Sequence, residues 1–351
     1  MNIYILLLIT VLFCCLIEST VSTVSFSRIK INTRKLSFWV CFFFILFIGL
    51  FRNELLGVDV ANYKEYFNSW YERYNFVFLL RHFELDNGYI FLNKIVKVFS
   101  QEFYIFKCVL YFICVSLFSI IIYKRSKYPA LSFLIYLGLG YLGTNFCLLR
   151  QAAAYSICFV AFIYLKQNKL IKFILLIILA ATFHKTALFF ALVYPLTKDI
   201  FKSHSIIKKG ILVMTFMGFS TFIIPNLFQY YKNDYSQIAE QGQGFNLLMV
   251  YCVILFIMSR MKKKNNKESM LSYEASFCSI YFQIGALFFS LFTRVTNFYA
   301  LLFTIAIPEL IDTEKNKKLY IAIFAGGFSL LYLYSLFTDS CQIVPYLTNF
   351  N

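Results

Sequence analysis

Charge is scarce in this 351-residue chain: 14% of its residues are Asp, Glu, Lys or Arg, while 60% are hydrophobic and 21% aromatic. A soluble globular domain carries about 25% charged residues. The shortage, with a mean hydropathy of +0.70, points to a polytopic membrane protein. Acids are scarcer still, 17 against 33 Lys and Arg. On a soluble chain the net charge of +16 would suggest nucleic acid, but the cations sit in short clusters between apolar runs, the pattern of cytoplasmic loops. Nucleic acid is therefore excluded as a partner. A Walker motif, a glycine-rich dinucleotide fingerprint, a nucleophile elbow and HExxH are all missing, so no cofactor or metal is expected. The ten cysteines include no CxxC and no zinc-type Cys/His spacing, and most lie in apolar runs as small lipid- or core-facing side chains.

What is present sets a topology. Six basic clusters, 28–35, 124–127, 166–172, 198–209, 260–267 and 315–318, hold 22 of the 33 cations and are assigned to the cytoplasm. Neighbouring clusters must then be joined by an even number of crossings, each of about 20 apolar residues. The first stretch, Ile3 to Ile17, lacks a cationic leader and is followed by cations, so it reads as an uncleaved span running inward. Outer turns fall near Arg150 and Arg294, and a third near His184, where the segment 170–197 is too long for one span and short for two. The expected fold is an all-α polytopic bundle of about 12 transmembrane helices, some short or re-entrant, with both termini outside. Within this single transmembrane domain, 1–351, the acid- and aromatic-rich segment 53–101 is expected to form an external cap of amphipathic helices, and 229–245 a second external loop.

Arg150, His184 and Arg294 occupy equivalent outer turns, each flanked by apolar residues with no acid nearby in sequence. An arginine at the bilayer centre costs about 2.5–3.5 kcal/mol. At an outer turn it snorkels to the headgroups, which is the ordinary use of each one alone. If the three converge they form an anion site, because guanidinium forks match phosphate oxygens and stay charged. His184 is either a proton-transfer group or the end of a short helix, Lys185 a snorkelling cation or a second phosphate contact, and Gln151 points elsewhere on its helix. In FRNELLGVDVANYKEYF, Arg52 is placed at the membrane edge and Asp59 and Tyr63 stand one helical turn apart; Asp59 is either a helix cap or a carboxylate near a sugar hydroxyl. ELDNGYIFLN offers Glu84 the same role, beside Tyr89, or an ordinary helix start. Gly138, Gly140 and Gly143 read as close helix packing.

Taken in order, FRNELLGVDVANYKEYF (51–67), ELDNGYIFLN (84–93), LLRQAAAYSICFVAFIYL (148–165), FILLIILAATFHKTALFFALVYPL (173–196) and, more loosely, FTRVTNFYA (292–300) resemble the EpsG family of bacterial exopolysaccharide polymerases, allied to Wzy-type O-antigen and capsule polymerases. The resemblance implies a GT-C-like glycosyltransferase in the bacterial inner membrane, with its site facing the exterior. Its substrate would be an undecaprenyl-diphosphate-linked oligosaccharide, whose growing chain is moved onto a new repeat. The flippase and a chain-length regulator of the same pathway would be partners, beside membrane lipid. The residues it carries over are Arg52, Asp59, Tyr63, Glu84, Gly88, Tyr89, Arg150, His184 and Arg294. In that reading Arg150 and Arg294 grip the diphosphate, His184 assists, and Asp59 or Glu84 serves the acceptor hydroxyl. A flippase for lipid-linked sugars and an O-antigen ligase want the same cations and remain open alternatives.

Overall fold

The computed structural model describes residues 1–21, 23–26, 29–70, 86–197, 244–261, 267–287 and 291–349. Helix α1 (Asn2–Thr20) leads into a hairpin of β1 (Thr23–Phe26) and β2 (Ile29–Asn32), then α2 (Thr33–Phe51), started by the Asn32 side chain accepting from the Lys35 amide. The short α3 (Val60–Glu65) and α4 (Asn87–Phe99) precede α5 (Phe103–Arg125). Next come α6 (Pro129–Gly138), α7 (Tyr141–Cys147), α8 (Leu149–Lys166), α9 (Leu170–Ala181) and a 3-10 turn, Lys185–Leu192, running into α10 (Val193–Thr197). The last helices are α11 (Phe245–Met261), α12 (Lys267–Ala286), α13 (Leu291–Ala300), α14 (Phe303–Asp312) and α15 (Lys317–Thr338).

The all-helical expectation holds apart from one short hairpin. Thr23–Phe26 pairs antiparallel with Ile29–Asn32, Val24 opposite Ile31, at the start of the first basic cluster. Thr, Val and Ile prefer extended backbone, and no apolar run extends across the cluster to carry a helix through it.

Among the described residues, five helices are long and apolar enough to cross a membrane, or six if α6 and α7, bent by 60°, count as one. The bend has a local cause, because Gly140 adopts φ +78°, where a helix cannot continue. Gly138 and Gly143 do pack closely as expected: an added Cβ would stand 2.6 Å from the Phe328 carbonyl oxygen and 2.9 Å from Cys341 Sγ. The helices α9, Lys185–Thr197 and α11 are apolar but shorter.

Two sets of long-range polar contacts are set apart by where their residues lie in the sequence. In the first, Lys166 Nζ meets Glu309 (2.6 Å) and Ser272 (2.9 Å), Glu18 accepts from the Ala130 amide (3.1 Å), and Arg34 donates to the Tyr123 carbonyl (3.0 Å). Those residues lie in or beside the basic clusters. In the second, Tyr4 donates to the Ile343 carbonyl (2.9 Å), Asn53 N to Leu347 O (2.7 Å), and Arg150 meets Asp86 (3.2 Å). These residues all belong to segments that charge parity puts outside.

The Lys166–Glu309 pair ties α8 to α14 with Lys166 almost fully enclosed. Removing one member of a buried pair leaves an uncompensated charge, so Lys166→Ala is expected to lower stability by about 3–5 kcal/mol. Thermal unfolding in detergent, against the Lys166→Ala/Glu309→Ala double variant, checks this; equal losses in both would remove the ion pair as the cause.

Candidate functional site

Three segments meet at the end of the bundle remote from the described basic clusters 124–127, 166–172 and 315–318: the start of α4, the start of α8, and the turn between α9 and the 3-10 helix. Gly88 makes the first junction. Its amide donates to the Thr182 carbonyl at 2.7 Å, and a Cβ on Gly88 would stand 2.2 Å from Thr182 Oγ1. Only glycine permits that approach, which holds the start of α4 against the turn that carries His184.

Arg150 is the second residue of α8, and its Nη1 lies 3.2 Å from Asp86 Oδ2. The guanidinium also stands 5.9 Å from the centroid of the Tyr63 ring, which packs on Tyr89 at 5.6 Å. Tyr63 and Tyr89 are buried, so they form the wall behind Arg150. The Arg150 Nε is buried without a hydrogen-bond partner. Arg150 has no acid nearby in sequence. The acid arrives from 64 residues away, because the Gly88–Thr182 junction carries Asp86 to it.

Asp86 is 7% exposed, and burial pushes its carboxyl up to about 6 from 3.8, against the opposing charges of Arg150 and Lys185. A nearby arginine alone lowers a carboxyl by about 1–3 units, so desolvation wins here. A folded value above the unfolded one means that the folded state holds the proton more tightly. Stability from this group is therefore highest below pH ~4 and falls by up to about 3 kcal/mol as pH rises through ~6. Asp86→Asn should remove that slope from unfolding measurements between pH 4 and 7; an unchanged slope would assign it to another group.

His184 stands at the turn after α9, where it caps the 3-10 helix by accepting from the Thr186 amide. Burial, with Arg150 and Arg294 in electrostatic reach, pushes the imidazole down to about 3. It is therefore neutral near pH 7, which corrects the expectation of a third cation. Nδ1 accepts from the Thr186 amide and lies 2.6 Å from Thr186 Oγ1. An acceptor Nδ1 puts the proton on Nε2, which becomes a neutral hydrogen-bond donor.

Arg294, in α13, is joined to α8 through its backbone: Gln151 Nε2 and Tyr155 Oη each lie 3.4 Å from its carbonyl oxygen. Gln151 thus serves as an inter-helix tie, and Tyr155 is a contact that sequence reasoning missed. The Arg294 charge acts on both His184 and Tyr63. Lys185 is exposed and acts on Asp86. The three outer turns therefore do converge, as two cations, one neutral imidazole and a carboxylate.

Other expected residues fall elsewhere. Arg52 is enclosed, not open at the membrane edge: it is 0% exposed, with its guanidinium 4.1 Å from the Phe146 ring centroid and Nη1 on the Leu56 carbonyl at 3.4 Å. Its own carbonyl accepts from the buried Lys107 at 2.8 Å, a contact with no sequence signal beyond a lysine inside an apolar run. Asp59 holds the position before α3, yet its side chain makes no capping hydrogen bond, so the cap reading does not hold. Its charge acts on Tyr63. Glu84, with residues 71–85 of the expected cap and 229–243 of the second loop, lies outside the described residues. On α4, Tyr89 and Val96 are buried as the periodicity predicts, but Phe99 is among the most exposed apolar side chains and joins Phe91, Ile95 and Val98 on an apolar outer face. Such a face suits a helix lying on a membrane interface.

Apolar helices long enough to cross a membrane, with Arg150, Asp86 and His184 gathered among them, define a multi-pass membrane protein. The chain belongs to the EpsG family, whose family model matches residues 35–348. No curated protein and no solved structure matches it.

Proposed function

We propose that this protein polymerises polysaccharide, as its EpsG family membership supports, by transferring a growing chain from an undecaprenyl-diphosphate carrier onto a hydroxyl of a new repeat. The observation that carries the reading is the convergence of Arg150, Arg294 and a proton-bearing His184 Nε2 beside Asp86. About 12 crossings, a GT-C-like architecture and an exterior-facing site in the inner membrane belong to the same proposal. The outward placement is supported by charge parity, since this end is the one remote from the basic clusters.

In the structure Asp86 occupies the place of an anion on Arg150. A diphosphate, with more charge and more acceptor oxygens, takes the guanidinium from it. As the bond between the sugar anomeric carbon and the phosphate oxygen breaks, its electron pair stays on the diphosphate, where Arg150 and Arg294 stabilise the growing charge and His184 Nε2–H donates to an oxygen. The acceptor hydroxyl oxygen forms the new bond to that carbon and its proton passes to Asp86. Beside Glu84 and Asp59, Asp86 is a third candidate base and the one the mechanism uses, because its carboxylate is beside Arg150, with a value of about 6 suited to proton transfer near neutral pH. Tyr63 and Tyr89 shape the sugar side of the site.

Purified protein incubated with its lipid-linked repeat, without nucleotide or added metal, should build a ladder of products. Its rate should rise with pH through ~6 as Asp86 ionises. Movement of the unpolymerised lipid across vesicle membranes, with no ladder, would instead select the flippase alternative.

A further inference from the structure

Cys147 and Cys341 come from distant parts of the chain to one place at the site end of the bundle. Cys147 closes α7, and Cys341 opens the strap, residues 340–349, that follows α15. Cys147 Sγ lies 3.1 Å from the Cys341 carbonyl oxygen, and the two thiols interact side chain to side chain. One turn earlier on the same face of α7, Gly143 leaves a notch: a Cβ there would stand 2.9 Å from Cys341 Sγ and 3.2 Å from Cys341 Cβ. Cys341 therefore sits against the face of α7 that carries Cys147, four residues from Gly143 along the helix. Both are free thiols in the structure; Cys147 is buried and Cys341 is partly open to solvent.

The strap itself is tied to the segment leading into the site. Val58 N donates to Cys341 O (3.2 Å), Asn53 N to Leu347 O (2.7 Å), Glu54 N to Asn349 Oδ1 (2.7 Å), and Tyr346 to the Ile48 carbonyl (2.8 Å). Asp59 and Tyr63 follow directly. A covalent link at Cys341 would hold residues 52–63 and α7, and with α7 the start of α8 and Arg150, in one unit.

We propose that Cys147 and Cys341 form a disulfide that fastens the C-terminal strap to α7. The oxidant is a disulfide-bearing protein or small molecule. The more accessible Cys341 thiolate attacks one of its sulfurs, forming a mixed disulfide and releasing one thiol; the Cys147 thiolate then attacks the Cys341 sulfur, forming the Cys147–Cys341 bond and releasing the second thiol. Two electrons and both cysteine protons end on the oxidant. In the cell, access of an exterior oxidant rests on the orientation proposed above. A second thiol pair, Cys14 and Cys41, also interacts side chain to side chain, but both are buried, Cys14 near the end that carries the basic clusters, and they should stay reduced.

The test uses the full-length protein purified in detergent and treated with glutathione disulfide, alkylated with N-ethylmaleimide, digested without reduction and mapped by mass spectrometry. A peptide joining Cys147 to Cys341, lost after dithiothreitol and absent from Cys341→Ser protein, is the expected result, with Cys14 and Cys41 recovered alkylated. Recovery of Cys147 and Cys341 both alkylated after oxidation, or linkage of either to another cysteine, would overturn it. Because the wild-type chain carries the readout, poor folding of the variant does not blunt the test. A failed linkage leaves the polymerase reading standing, and linkage without a product ladder counts against that reading alone.

Discussion

Arg150→Ala protein, inserted at normal levels, is expected to make polymer about 10²–10³-fold more slowly, the loss that follows removal of one donor from a group of charge stabilisers. The expectation rests on position: Arg150 is half-buried, already holds a carboxylate at 3.2 Å, and presents its fork beside His184 and Arg294. Arg150→Lys should restore little, because an ammonium keeps the charge and loses the two parallel hydrogen bonds to phosphate. Loss of Arg150 also strands a buried Asp86, so inactivity by itself does not separate lost chemistry from lost stability. Thermal unfolding of the Arg150→Ala protein separates the two: protein that stays folded at the assay temperature and makes no polymer has lost the chemistry. Full-length polymer from this variant in cells, or from purified protein, would remove Arg150 from the chemistry.

Gly88→Ala should be nearly as damaging although it deletes nothing. The new methyl would meet Thr182 Oγ1 at 2.2 Å and the Thr182 carbonyl oxygen at 3.0 Å, so α4 must back away from the α9 turn. Overpacking of this kind costs about 1–3 kcal/mol, and a shift of about 1 Å between positioned groups costs on the order of 10² in rate. The expected outcome is loss of the product ladder with a modest fall in unfolding temperature. Gly326→Ala is the control: nothing lies within 4 Å of its Cβ position on the exposed side of α15, so better helix propensity should leave activity unchanged and stability equal or higher. Equal activity in the two variants would show that the Gly88 contact does not position the site.

Much of the arrangement was legible before any coordinates. Arg150, His184 and Arg294 were grouped by counting basic loops, and the structure does bring them together. Tyr63 and Tyr89 were singled out as aromatics beside carboxylates and form the adjoining wall. Three features were not legible, each for its own reason. Asp86 carries no mark of its own in ELDNGYIFLN, because nothing local tells that the Gly88–Thr182 contact brings it to Arg150, 64 positions away. His184 counted as a cation because its charge at pH 7 depends on burial and on neighbours from α8 and α13. Arg52 was placed at the membrane edge because nothing local reveals that Phe146, Leu56 and the C-terminal strap enclose it.

By itself the sequence determined the class: apolar helices numerous enough for a multi-pass membrane protein, basic clusters spaced between apolar runs, and the motifs that resemble the family to which the chain belongs. Those properties are sums over composition and local order, and lipid and water read them segment by segment. The tertiary structure alone decided which carboxylate meets Arg150, which base stays neutral, and which cysteines are close enough to join. Pairing, protonation and thiol contact fall off within a few ångströms, and contacts such as Asp86 with Arg150 or Cys147 with Cys341 span 64 and 194 positions, a separation that no local pattern encodes.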